Sequence, residues 1–112
     1  MAGFGSFAHG QTCTSTVETV ARQVGESVVF CGTPSEIHAT SRTDGPIKVN
    51  FGGTWPDQAF SVVIFSDVAG TDAQGLEQRL AGKTVQVKGT VKDYKGKPEI
   101  VLKRMDDMQV QN

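Results

Sequence analysis

Cysteine is nearly missing from this sequence. Cys13 and Cys31 are the only two, too few for a disulfide framework and without the spacing of a zinc site or a redox pair. They leave one bridge as an option, in an oxidising compartment. Histidine is as scarce: His9 falls in the N-terminal stretch and His38 near a strand end. Cys31 and His38 share one extended segment and stand roughly 20 Å apart along it, which argues against a Cys–His nucleophile pair. No apolar run approaches the ~20 residues of a membrane helix, so no membrane span is expected. The carboxylates are scattered over loops and strand ends, whereas a nuclease needs clustered acids or a positioned base with cationic partners. A non-catalytic chain is therefore expected, with no cofactor, no catalytic residue and no metal ligand.

Net charge is also lacking, at −1, but only because two opposite regions cancel. Residues 1–82 carry four basic and eight acidic side chains, and residues 83–104 carry seven basic and two acidic. The cationic segment contains KGTVKDYKGKPEIVLKR, Lys88 to Arg104, read as a single hairpin. Positive charge gathered in one place favours an anionic partner; the competing reading is an ordinary solvated outer face.

Punctuation and periodicity divide the chain. Residues 1–14 lack periodicity and are read as a tail. Ala8-His9-Gly10 has the small residues of a signal-peptidase site, yet MAGFGSF before it lacks a basic start and a full apolar stretch. A trimmed leader, an expression remnant and a disordered tail all fit. Location is left open between export, periplasmic or secreted, and the cytoplasm. The domain is expected over 15–106, with 107–112 a second tail. Ser15-Thr16-Val17-Glu18 has the form of a capping box, followed by Val17, Val20, Ala21 and Val24 at helical spacing up to Gly25.

Alternation then predicts strands at Ser27–Ala39, Gly45–Gly52 and Ala59–Phe65. A helix over Thr71–Gly82 is capped by Asp72 and buries Leu76 and Leu80. Two strands close the domain, Lys83–Asp93 and Pro98–Arg104, turning at Tyr94-Lys95-Gly96-Lys97. Val24–Thr33 and Ala81–Thr90 echo one another, each a helix end feeding a strand with an interior glycine, Gly32 or Gly89. A bulge or sharp bend is expected at each glycine, curling the sheet onto itself.

The local wording adds to this. Val24-Gly25-Glu26-Ser27-Val28, Val49-Asn50-Phe51-Gly52-Gly53, Trp55-Pro56-Asp57-Gln58, Phe60–Phe65, Gly89-Thr90-Val91 and Tyr94–Ile100 stand in the same order as in small bacterial OB-fold proteins of the nucleic-acid-binding type, which the chain resembles from about Val17 to Leu102. The resemblance implies an all-β domain with small helices. Its form would be a five-stranded closed Greek-key OB-fold barrel, in the order three strands, helix, two strands, behind a short N-terminal helix. Pro34 departs from the pattern, since it stands where a ladder donor is wanted.

In such a fold the outer face of the second and third strands, flanked by the first and last hairpin loops, is the ligand platform. Alternation turns Lys48 and Asn50 outward on one strand and Ser61, Val63 and Phe65 on the next, with Phe65 either a stacking platform or a covered ring. Trp55 is expected to fold over one end of the barrel. Lys88, Lys92, Tyr94, Lys95 and Lys97 form the basic jaw, and Arg42 with Lys48 the opposite one. With Asn50 and Phe65, these seven make the nine predicted nucleic-acid contacts. The function implied is weakly sequence-selective binding of single-stranded nucleic acid, DNA or RNA. The alternative is an exported or envelope-associated module that binds a protein or another anionic ligand.

Overall fold

The computed structural model describes residues 12–39, 46–69 and 73–111. Alternating apolar residues build most of it. Strands β1 (Ser27–Gly32), β2 (Glu36–Ala39), β3 (Ile47–Phe51) and β4 (Phe60–Ile64) are followed by helices α1 (Ser66–Ala69) and α2 (Ala73–Leu80), then β5 (Thr84–Thr90), β6 (Lys92–Tyr94), β7 (Lys97–Val101) and β8 (Met108–Gln111). Their inward sets meet in one core. Val28, Phe30, Val49, Phe51, Phe60, Val62, Val85 and Val87 are buried there with Leu76 and Leu80 of α2. Phe30 lies at its centre, with ring centroids 4.8 Å from Phe51 and 4.3 Å from Phe60.

The expected five-stranded closed barrel is corrected. Eight strands form two sheets, ordered β1-β5-β8 and β2-β3-β4-β7-β6, and among the described residues no ladder joins the sheet edges. Both strands expected to bend through a barrel are instead cut in two. Pro34 has no amide to offer a ladder, so β1 ends at Gly32 and the chain re-enters as β2 in the other sheet. The second cut falls at Val91, wholly buried between β5 and β6. Corners where a strand changes sheet are the usual device of stacked sheets.

Gly89 is not a bulge, because Val28↔Gly89 is a regular rung of the β1–β5 ladder. It permits close approach between the sheets: a Cβ there would stand 2.5 Å from Ile100 Cγ2 on β7. A further pairing was not foreseen at all. β4 and β7 run parallel, matching Ser61 with Glu99 and Val62 with Ile100.

Described residues flanking the expected domain at both ends take part in the fold. Cys13 is bridged to Cys31, their Cα atoms 5.8 Å apart. Beside the bridge, the Thr14 and Ser15 amides donate to the Val29 carbonyl (2.9 and 3.1 Å), and the Cys31 amide donates to the Ser15 carbonyl (3.0 Å). Ser15 is thus held against β1 rather than capping a helix, and the expected N-terminal helix is reduced to a single 3-10 turn, Val20–Arg22. At the other end, Asp107 closes a 3-10 turn and β8 pairs antiparallel with β5, Val87 opposite Met108. The suggestion of a leader falls on residues 1–11, outside the described residues, as do the Asp72 cap and Arg42.

Candidate ligand-binding groove

The site lies on the outer face of the five-stranded sheet. Register sets outward side chains in rows: Glu36 opposite Asn50, Asn50 opposite Ser61, Ser61 opposite Glu99, and Glu99 opposite Lys92. Two residues along, on the same face, His38 pairs with Lys48. The loop Gly52–Gln58 folds back across this face and is tied down by hydrogen bonds. Glu36 Oε1 accepts from the Trp55 amide and from Asn50 Nδ2, both at 2.8 Å. Those two bonds, the Trp55 amide first, hold the Glu36 carboxyl below its ordinary range.

This anchoring presents Trp55, across a cis bond to Pro56, with its indole stacked on the His38 imidazole. Trp55 is 52% exposed. It stands on the sheet face rather than over an end of the fold, which corrects the expectation for it.

The β6–β7 hairpin forms the other wall. Tyr94 pairs with Lys97 across Lys95 and Gly96, both at positive φ (52° and 89°), the geometry of a two-residue type I′ turn that Gly96 makes accessible. The Tyr94 ring, 50% exposed, has Lys95 Nζ 5.3 Å from its centroid and Lys48 Nζ, reaching from β3, at 5.7 Å. Both are within cation–π range. Lys97 Nζ crosses to donate to the Gln58 carbonyl at 3.1 Å, joining hairpin to loop. Between them runs a groove of about 150 Å³, walled by Trp55, Tyr94 and the three lysines, with Gln58, Ser61 and Glu99 along its base. Burial pushes the Glu99 carboxyl up, while Lys48 and Lys92 pull it the other way.

Four of the nine predicted contacts, Lys48, Tyr94, Lys95 and Lys97, therefore meet in one place. Asn50 does not join them as a contact. It is fully buried, donating to Glu36 and accepting from the Ser61 hydroxyl at 2.7 Å, so its role is to hold the loop. Phe65 is 46% exposed just beyond β4 and is not among the groove's residues. Lys88 and Lys92 belong to a separate cavity of about 280 Å³, shared with Lys103 and Asp107 where β5 passes into β6. Among the described residues the one ion pair within 4 Å joins Arg104 to Asp107 at 3.4 Å, outside the groove, so none of the groove's lysines is in direct contact with a carboxylate.

Trp55, Gln58, Ser61 and Glu99 were not among the predicted contacts. The signal for them was the Trp-Pro-x-Gln loop beside a strand carrying a polar residue on its outward side, which alternation alone did not place over the sheet.

No family model matches the chain, and no curated protein matches it. Among solved structures it is similar to one described as "OBody AM1L10 bound to hen egg-white lysozyme", with a TM-score of 0.64 and 19% identity, covering 94% of this chain and 99% of that one. A likeness at that identity carries the fold alone. No helix among the described residues is long and apolar enough to cross a membrane.

Proposed function

We propose that the chain is a non-catalytic module that binds single-stranded nucleic acid along this groove, with weak sequence preference. The observation that carries the reading is Tyr94 standing between the reach of two ammonium groups, Lys48 and Lys95, on the wall facing the exposed Trp55. Rings of that kind stack on unpaired bases of any type, and neighbouring lysines neutralise phosphates. A duplex keeps its base faces stacked inside and offers such rings nothing. The resemblance of the local motifs to those of small OB-fold nucleic-acid-binding proteins is in keeping with the same reading.

Trp55 is the sole tryptophan and reports on the groove directly. Titration with a 12-nucleotide single strand at low salt is expected to change its emission saturably. Three neutralised phosphates give a slope of about −2 in log affinity against log salt. Unchanged emission together with no binding of a labelled oligonucleotide overturns the reading.

A second reading has its own support. The structural neighbour is described as bound to lysozyme, a protein, and a half-exposed tryptophan and tyrosine also suit a protein interface. Changing Lys95 and Lys97 to Glu separates the two, since it abolishes oligonucleotide binding and spares a protein partner held through the aromatic rings.

A further inference from the structure

The groove's base contains a chain of hydrogen bonds whose direction is fixed from one end. Glu36 is acceptor-only when ionised, so Asn50 must present its amide nitrogen to it (2.8 Å) and keep its oxygen for the other side. That oxygen takes the Ser61 hydroxyl proton at 2.7 Å. Ser61 Oγ, its proton spent, is left to accept, and it accepts from Gln58 Nε2 at 3.2 Å. The amide of Gln58 is thereby locked: nitrogen toward Ser61, oxygen the other way.

Gln58 Oε1 is the terminus, and it has no partner. The side chain is 5% exposed and belongs to the groove. A buried carbonyl oxygen with no donor is rare in folded proteins and costly. It cannot relieve the deficit by flipping, because the flip would set two acceptors, Gln58 Oε1 and Ser61 Oγ, against each other. The second acceptor at the groove base is the Glu99 carboxylate. Lys97 spans the same groove to the Gln58 carbonyl at 3.1 Å.

We infer that this acceptor-lined base is a subsite for a nucleobase bearing an exocyclic amino group, with Gln58 Oε1 accepting one of its protons. The inference rests on the nucleic-acid reading above and adds selectivity at one base position. Cytosine and adenine bring an amino group with two protons to this floor. Thymine and uracil bring a single ring N–H flanked by two carbonyl oxygens, which face Gln58 Oε1 and Glu99 as like partial charges. A site built to hydrogen-bond a group rejects the analogue that lacks it far more strongly than an apolar pocket rejects a size change.

The test compares 12-nucleotide oligo-dC and oligo-dT by Trp55 emission at one ionic strength. Wild-type protein is expected to bind oligo-dC at least about tenfold more tightly, the discrimination typical of one good polar base contact. Gln58→Met, which keeps length and removes the acceptor, should bring the two affinities within about twofold. Should that variant not fold, Ser61→Ala decides: it releases the locked amide to turn, so the preference falls while overall binding persists. Equal or tighter binding of oligo-dT by wild-type protein, or a preference that survives both substitutions, overturns the subsite and leaves the broader reading standing. Binding of neither oligonucleotide overturns both.

Discussion

The Trp55 indole lies parallel to the His38 imidazole, with ring centroids 5.5 Å apart and planes 9° from coplanar. The stack fixes one face of the indole against β2 and leaves the other half-open on the groove wall. Replacing Trp55 by Ala is expected to weaken oligonucleotide binding by about 1–3 kcal/mol, about 5- to 150-fold, the worth of one base–aromatic stack. Anisotropy of a labelled strand reads this. His38→Ala should cost less, because it loosens the indole without removing it.

Glu36 gives the loop a pH dependence of definite sign. Its carboxyl is lowered from 4.5, so the stabilisation it supplies is complete above that value and is lost as pH falls through the depressed folded pKa. Below that point the Trp55 amide loses its charged acceptor, and the emission maximum of Trp55 should move to longer wavelength before global unfolding is seen by circular dichroism. Glu36→Gln should show the red shift at neutral pH and lose the acid transition.

Glu99 behaves in the opposite sense. Burial raises its carboxyl above the ordinary 4.5, against the pull of Lys48 and Lys92. Its folded form therefore takes up a proton more readily than the unfolded chain, so its contribution to stability is greatest in acid and fades as pH rises through the raised pKa. Protonation also removes the negative charge from the groove base. Oligonucleotide affinity is expected to rise as pH falls through that range, and Glu99→Gln should bind about two- to fivefold more tightly at neutral pH with the rise flattened, a change of about 0.4–1 kcal/mol. A variant that keeps the wild-type pH profile would show that Glu99 does not govern it.

The lysines divide by cavity, and the salt dependence should divide with them. Lys95→Ala and Lys97→Ala are each expected to lower the slope of log affinity against log salt by about 0.7. Lys88→Ala and Lys103→Ala, in the cavity beside Asp107, should leave that slope nearly unchanged for a strand short enough to stay within the groove.

The Cys13–Cys31 bridge closes a loop of 18 residues in sequence separation. Its removal by Cys13→Ser with Cys31→Ser should lower stability by about 3 kcal/mol on the loop-closure account. Urea denaturation of the oxidised, reduced and doubly substituted proteins measures it. Equal midpoints for all three would show that the bridge adds nothing to stability.

Much of the core could be read before the fold was seen. Ile47, Val49 and Phe51 alternate with polar partners, Phe60, Val62 and Ile64 share the inward side, and all six are buried. Leu76 and Leu80, one helical turn apart, mark the buried face of α2, and Lys95-Gly96 signalled the hairpin turn. What escaped was long-range. Period-two patterning says which side of a sheet a residue faces but not whether another segment covers that side. Asn50 was placed outward correctly by parity and is still buried, because the Gly52–Gln58 loop lies over it. Ser15 had the spacing of a cap, yet its neighbour Cys13 draws it to β1. Closure of the sheet did not follow from the pattern either: Pro34, which lacks the donor a strand needs there, marks the place where one expected strand becomes two in different sheets.

The strapping of the N-terminal segment along β1 has one more effect. Thr14 and Ser15 occupy backbone groups that would otherwise line a bare margin of the three-stranded sheet. Such a margin invites a second molecule to add its own strand. The Cys13–Cys31 bridge pins that cover at one end, so reduction is expected to loosen it, and light scattering before and after adding reductant reads whether copies of the chain then associate.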